Sequence, residues 1–111
     1  MDKKLQQTIC DAISDNSGYE GYKCLEYIEK VEVNGVTYYI SEEEELDTTD
    51  EGKYQFGATV YRIINDKEDK YFFVKQDFYQ TGSYYSYQER TYEQPYIVQK
   101  VEVKTYKWKA I

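Results

Sequence analysis

The first hydrophobic positions of the chain repeat with the period of an α-helix. Four apolar residues fall on one arc at 3.6-residue spacing, opposite polar residues: Leu5, Ile9, Ala12 and Ile13. Asp2 is placed to cap the start, and Asn16-Ser17-Gly18 supplies a stop. The pattern predicts a helix over about residues 3–14 whose apolar stripe packs on a sheet.

From about residue 26 the pattern changes to the alternation that is typical of β-strands. Asn34-Gly35 separates Val31-Glu32-Val33 from Val36-Thr37-Tyr38, which predicts a hairpin with a two-residue turn. In that register Val33 faces Val36 and Val31 faces Tyr38, so the apolar residues share one face.

Further strands are predicted over about residues 54–64, 71–79 and 96–108. Asp47–Gly52 is predicted to be a loop and Asn65–Asp69 a turn. One helix and about five strands, mostly joined by short turns, favour an α+β fold. In it the N-terminal helix packs on one face of an antiparallel sheet of about five strands. The length of 111 residues fits a single domain, residues 1–111.

Charge narrows the class of partner. The net charge is −7, and residues 1–55 carry 14 acidic against 5 basic side chains. Such a chain is repelled by phosphate backbones and anionic lipid, so we expect no direct binding to nucleic acid or membranes. A basic protein surface is the expected partner, and a homodimer is left open.

The start has no apolar signal segment, no apolar run is long enough to span a membrane, and Cys10 and Cys24 have no metal-type spacing. We therefore expect a cytoplasmic protein with two reduced thiols.

Motifs for catalysis are weak. The chain has no histidine, no GxGxxG and no phosphate loop. Tyr71 and Lys75 have Tyr-x-x-x-Lys spacing, but they lie in a predicted strand rather than the helix that this pair needs. A calcium loop counted from Asp47 fails at its twelfth position, where Ala58 replaces glutamate. A carboxylate pair for glycoside hydrolysis has no cleft around it in so short a chain. We expect no enzymatic activity, no cofactor and no metal site.

One surface feature is an acidic run, Glu42-Glu43-Glu44-Glu45, extended by Asp47, Asp50 and Glu51. It is either a solvated strand end that protects a sheet edge or an anionic patch for a basic partner. In a regular strand, same-side carboxylates lie about 6.7 Å apart, whereas DNA presents a phosphate about every 3.4 Å per strand. DNA mimicry would therefore need acids from other elements, which are Asp11, Asp15, Glu20, Glu26 and Glu29.

The other feature is tyrosine, which occurs 15 times in the chain. Six tyrosines lie between Tyr79 and Tyr96, in a stretch too polar for a core. They either brace a hairpin or form a recognition loop, because Tyr-Ser-Gly mixtures supply rigid contact area with adaptable hydrogen bonds. Tyr84, Tyr85 and Tyr87 are the candidate contact residues.

The C-terminal segment resembles the endings of small acidic proteins encoded by bacteriophages. The likeness runs from Tyr79-Gln80-Thr81-Gly82-Ser83-Tyr84-Tyr85-Ser86 through Tyr96-Ile97-Val98-Gln99-Lys100-Val101-Glu102-Val103 to Tyr106, roughly the last 35 residues. Those endings combine a Gly/Ser/Tyr-rich turn with a terminal strand of Val-Glu-x-x pattern. The resemblance implies a phage-type anti-CRISPR or anti-restriction inhibitor that occupies the nucleic-acid-binding surface of a host nuclease. The alternatives are a structural or assembly protein of a virion or homo-oligomer, and a small-ligand sponge.

Overall fold

The computed structural model describes residues 1–15, 22–51, 54–81, 89–101 and 108–111. Within this part of the chain the elements are α1 (Lys3–Asp15), a 3-10 helix (Leu25–Tyr27), β1 (Lys30–Val33), β2 (Val36–Glu51), β3 (Tyr54–Asn65), β4 (Tyr71–Thr81), β5 (Glu89–Tyr92) and β6 (Tyr96–Val98). The helix packs on an antiparallel sheet, which confirms the predicted α+β class.

The N-terminal helix is stabilised as its sequence predicts. The backbone N–H of Leu5 donates to Asp2 Oδ1 at 2.7 Å, so Asp2 is the cap. Ile9 and Ile13 are at most 1% exposed, and Leu5 and Ala12 pack against the same core. The predicted stop at residues 16–18 lies outside the described residues.

The strands pair in the order β1-β2-β3-β4-β5. Strand β6 pairs with residues 73–75 of β4, on the same edge that β5 pairs with at residues 78–81. The first hairpin has the predicted register, with Val33 opposite Val36 and Val31 opposite Tyr38. Its turn residues Asn34 and Gly35 have φ of 54° and 77°, as a type I′ turn requires. The turn predicted at residues 65–69 is also present between β3 and β4.

Two strand boundaries differ from the prediction. The expected loop from Asp47 is wrong, because β2 continues to Glu51 and pairs with β3 as far as Tyr54. Polar residues are compatible with a strand wherever the neighbouring strand satisfies their backbone groups. The strand expected over 96–108 ends at Val98, which is opposite Phe73. Since β4 begins at Tyr71, only two of its residues lie beyond Phe73 for β6 to pair with. Residues 102–107 lie outside the described part.

The sheet has one face on which α1 packs, which we call the helix face, and an opposite face that no described helix covers, which we call the open face. The helix face carries five residues that are buried in one core cluster with Ile9 and Ile13 of α1: Tyr38, Tyr61, Ile63, Phe72 and Val74. Alternation places their strand neighbours on the open face.

Cys10 and Cys24 are buried free thiols with separate contacts: Cys10 Sγ donates to the Pro95 carbonyl at 3.5 Å, and Cys24 Sγ is 3.8 Å from the Tyr61 hydroxyl. In the described part of the chain, no helix has the length and apolar character that crossing a membrane requires.

Candidate protein-binding surface

A β-bulge at Glu43 interrupts the acidic run of β2. Glu42 is opposite Tyr61, and Glu44 is opposite Val60, so Glu43 is the extra residue. Tyr61 is buried on the helix face, and Val60 points to the open face. Glu42 therefore lies on the helix face and Glu44 on the open face. Glu45, opposite Thr59, returns to the helix face.

The four glutamates thus form two pairs on opposite faces of the sheet, and the bulge changes which residues share a face, because regular alternation would place Glu42 with Glu44 and Glu43 with Glu45. Glu42 and Glu45 belong to one pair, and Glu43 and Glu44 to the other. All four residues are exposed. The sequence could not show this division, because four identical residues carry no alternation from which a bulge can be recognised.

Glu42 and Glu45 line a polar recess of about 270 Å³ together with Glu26 of the 3-10 helix. We call this the acidic recess. Its remaining lining residues are Cys24, Thr59, Tyr61, Gln76, Phe78, Arg90 and Tyr92. Among these described lining residues Arg90 alone is basic, and it is engaged: its Nε donates to Gln80 Oε1 at 3.0 Å, and its guanidinium lies 4.3 Å from the ring centre of Phe78. Three carboxylates against one guanidinium give this lining a negative charge.

Gln76 forms the rigid floor of the recess. It is 2% exposed, and its amide nitrogen donates to the carbonyls of Lys23 at 3.0 Å and Glu93 at 3.1 Å. Its Oε1 accepts from the Leu25 N–H at 3.0 Å. The segment that carries Glu26 is thereby fixed to β4, next to β3 and β2. Gln76 was not predicted as a site residue, although alternation with Phe72, Val74 and Phe78 indicates that it faces inward.

The tyrosines of the recess supply neutral hydroxyl groups. Burial, reinforced by the Cys24 thiol, raises the pKa of Tyr61 far above its ordinary value. Burial also raises the pKa of Tyr92, again with a contribution from Cys24. Both hydroxyls stay protonated at neutral pH and can donate or accept hydrogen bonds beside the carboxylates.

The open-face pair of glutamates has a different environment. Glu43 Oε1 lies 3.5 Å from Lys100 Nζ. Glu43 and Glu44 also share a depression of about 200 Å³ with Lys75 and Lys100. Lysines therefore offset the acids on this face, whereas the lining of the recess carries unbalanced negative charge.

The structure describes only some of the other predicted contact residues. Asp47, Asp50 and Glu51 lie in the second half of β2, with Asp50 opposite Gln55 and Glu51 opposite Tyr54. Among the described strands, β1 pairs with β2 only from Val36 to Tyr39, which leaves the outer edge of β2 unpaired beyond Ile40. Tyr84, Tyr85 and Tyr87 lie outside the described residues. No group of three or more Cys, Asp and Glu side chains in the described part could hold a metal ion.

Comparison with known proteins finds no matching family model, no similar curated protein and no similar solved structure.

Proposed function

We propose that this protein is a non-enzymatic inhibitor that binds a host protein through the acidic recess. The observation that carries the proposal is the convergence of Glu26, Glu42 and Glu45 on one polar recess whose arginine is already engaged. Such a recess suits a lysine or arginine side chain. The carboxylates complement its positive charge and accept hydrogen bonds from its N–H groups. Buried Gln76 keeps the recess preformed, which lowers the entropic cost of binding.

The partner is a protein with a basic, nucleic-acid-binding face, such as a CRISPR or restriction nuclease. The net charge of −7 supports a basic partner, as does the edge of β2, which no other described strand pairs beyond Ile40. Glu26, from a second element, adds to the charge of β2 as mimicry of a phosphate backbone requires. The inhibitory role rests on the resemblance of the C-terminal segment to small acidic phage proteins.

The test is affinity capture from bacterial lysate at about 50 mM and about 500 mM salt, with bound proteins identified by mass spectrometry. Salt screens exposed charges, so a partner held by the recess should be retained at low salt and lost at high salt. The partner should be a basic protein that handles nucleic acid. An empty capture at both salt concentrations would contradict the proposal.

The bulge provides a matched control for this experiment. Glu42→Lys/Glu45→Lys reverses the charge of the recess, and Glu43→Lys/Glu44→Lys makes the same change on the open face. We expect the first variant to lose the partner by at least about tenfold in affinity and the second to keep it. Equal loss in both variants, with folding intact by circular dichroism, would remove the recess from the proposal.

A homo-oligomeric assembly protein is the second candidate function. The exposed aromatic residues of the open face favour it, because apolar patches of this kind are often functional surfaces.

A further inference from the structure

The open face of the sheet carries more apolar surface than a solvated sheet face needs. Its apolar and aromatic residues are Tyr39, Leu46, Phe56, Ala58, Val60, Ile64, Tyr71, Phe73, Tyr79, Tyr96 and Val98, as the strand registers place them. Tyr39, Phe56, Tyr71 and Tyr96 are each between 42% and 55% exposed. At about half exposure, four aromatic side chains contribute roughly 400 Å². The largest apolar patch on a typical monomer covers about 300–600 Å² and is often a functional surface.

The dimensions of the open face suit a protein–protein interface. Strand β3 has 12 residues, which span about 40 Å. It lies between β2 and β4, with β6 beyond β4. Four strands about 4.8 Å apart give a face on the order of 700 Å². A stable interface takes about 800 Å² from each partner.

The charges of this face suit a second copy of the chain better than a strongly basic partner. Between the row of Tyr71 and that of Phe56, the described charged side chains are three bases and four acids: Arg62, Lys75, Lys100, Glu43, Glu44, Asp77 and Glu93. This described part of the face therefore carries a charge of only about −1 in a chain of net charge −7. Two copies can meet there with little mutual repulsion, whereas a basic partner gains little from it.

The arrangement of these charges is also self-complementary. Glu44 is opposite Val60, and Val60 is opposite Lys75, so the three residues form one row across the sheet. A two-fold axis along β3 exchanges the β2 side with the β4 side. It places Glu44 of each copy over Lys75 of the other and packs Val60 against its own symmetry mate. We propose that two copies pack open face to open face in this symmetric dimer.

The dimer is independent of the acidic recess, which lies on the helix face. Salt separates the two interactions. Screening weakens binding of a basic partner to the recess, but it also screens the repulsion between two chains of charge −7. We expect the dimer to persist at about 500 mM salt, where capture by the recess is lost.

Sedimentation equilibrium of the purified full chain over about 1–500 μM tests the dimer. Tyr71→Glu places a charge in the apolar face and should raise the dimer Kd at least about tenfold. Tyr27→Glu is the matched control, since Tyr27 is 70% exposed on the 3-10 helix, outside the open face. It should leave the Kd unchanged. A wild-type chain that stays monomeric throughout this range, or equal effects of the two variants, would overturn the proposal.

A mixing experiment tests the two-fold geometry. In each dimer Glu44→Lys alone sets two lysines against each other at both symmetry-related contacts, and Lys75→Glu alone sets two glutamates against each other there. Each variant alone should dimerise at least about tenfold more weakly. A 1:1 mixture restores one native pair and creates one reversed pair, so heterodimers should form with near wild-type affinity. If the mixture is as weak as the separate variants, this geometry is wrong.

Discussion

The ring of Phe78 lies against the backbone of Gly57, its register partner on the neighbouring strand. A Cβ atom at Gly57 would lie 2.6 Å from Phe78 Cζ. Phe78 is 5% exposed, and its ring also contacts the guanidinium of Arg90 and is near the ring of Tyr92. An aromatic side chain thus covers a strand glycine, and the glycine is needed for space rather than for backbone conformation.

Gly57→Ala should therefore destabilise the fold. The added methyl group must displace a buried ring, an overpacking change that costs about 1–3 kcal/mol in free energy of unfolding. Urea denaturation measures the loss. In a Phe78→Leu background, which removes the ring atoms that clash, the same substitution should cost at most about half as much. An equal cost in both backgrounds would show that the contact with Phe78 is not the reason for glycine.

The first hairpin offers a glycine required for the opposite reason. Gly35 has φ of 77°, and nothing lies within 4 Å of the position its Cβ would take. Gly35→Ala should cost about 1–2 kcal/mol in free energy of unfolding, entirely from left-handed backbone strain. Asn34→Gly is the control, since Asn34 has φ of 54° and glycine accepts that conformation. It should change stability by less than about 0.5 kcal/mol. A neutral Gly35→Ala would mean that the turn can adopt another type.

The parts of the fold that the sequence predicts correctly are those with strong local signals. The helical stripe from Leu5 to Ile13 and the Asn34-Gly35 turn each determine their own geometry, and alternation fixes which face of a strand is buried. The end of β2 was missed because its pairing depends on β3, not on its own polar residues. The short strand β5 was missed because the tyrosine-dense stretch around it gives no clear alternation.

The candidate site was predictable only in its composition. The sequence identifies Glu42 to Glu45 as a concentration of charge, but the pairing of Glu42 with Glu45 on one face depends on a bulge that register alone reveals. Glu26 reaches the recess because Gln76 hydrogen-bonds the Leu25 N–H and the Lys23 carbonyl, contacts that span about fifty residues of sequence. Non-local hydrogen bonds of this kind leave no spacing pattern from which to predict them.

Gln76 should be among the polar residues most sensitive to substitution. Gln76→Glu keeps the shape but directs a carboxylate oxygen at the carbonyls of Lys23 and Glu93. Burial and these acceptors should raise the pKa of the introduced carboxyl group in the folded state above its value of about 4.3 in the unfolded state. Below that pH both states are protonated, so the variant should be most stable there and lose stability as the pH rises towards 7.

Urea denaturation at pH 4, 5, 6 and 7 measures this loss relative to the wild-type chain. Asp77→Asn, at the half-exposed neighbouring position, changes a carboxylate without burying one and is the control. A stability difference between Gln76→Glu and wild type that does not vary with pH would show that water reaches the buried end of this side chain.

Cys10 should make the fold sensitive to alkali. Burial, with a smaller contribution from the charge of Asp11, raises the pKa of this thiol from 9.0 to about 11. Below pH 9 the thiol is protonated in both states and contributes no pH dependence. Between about pH 9 and 11 the unfolded chain loses the proton while the folded chain keeps it, so stability falls as the pH rises. Cys10→Ala removes this titration. The stability difference between wild type and Cys10→Ala, measured by urea denaturation under reducing conditions, should therefore shift in favour of the variant from pH 8.5 to 10.5. A constant difference would mean that the folded-state thiol ionises as readily as the unfolded one, and that Cys10 is accessible to water despite its contact with the Pro95 carbonyl.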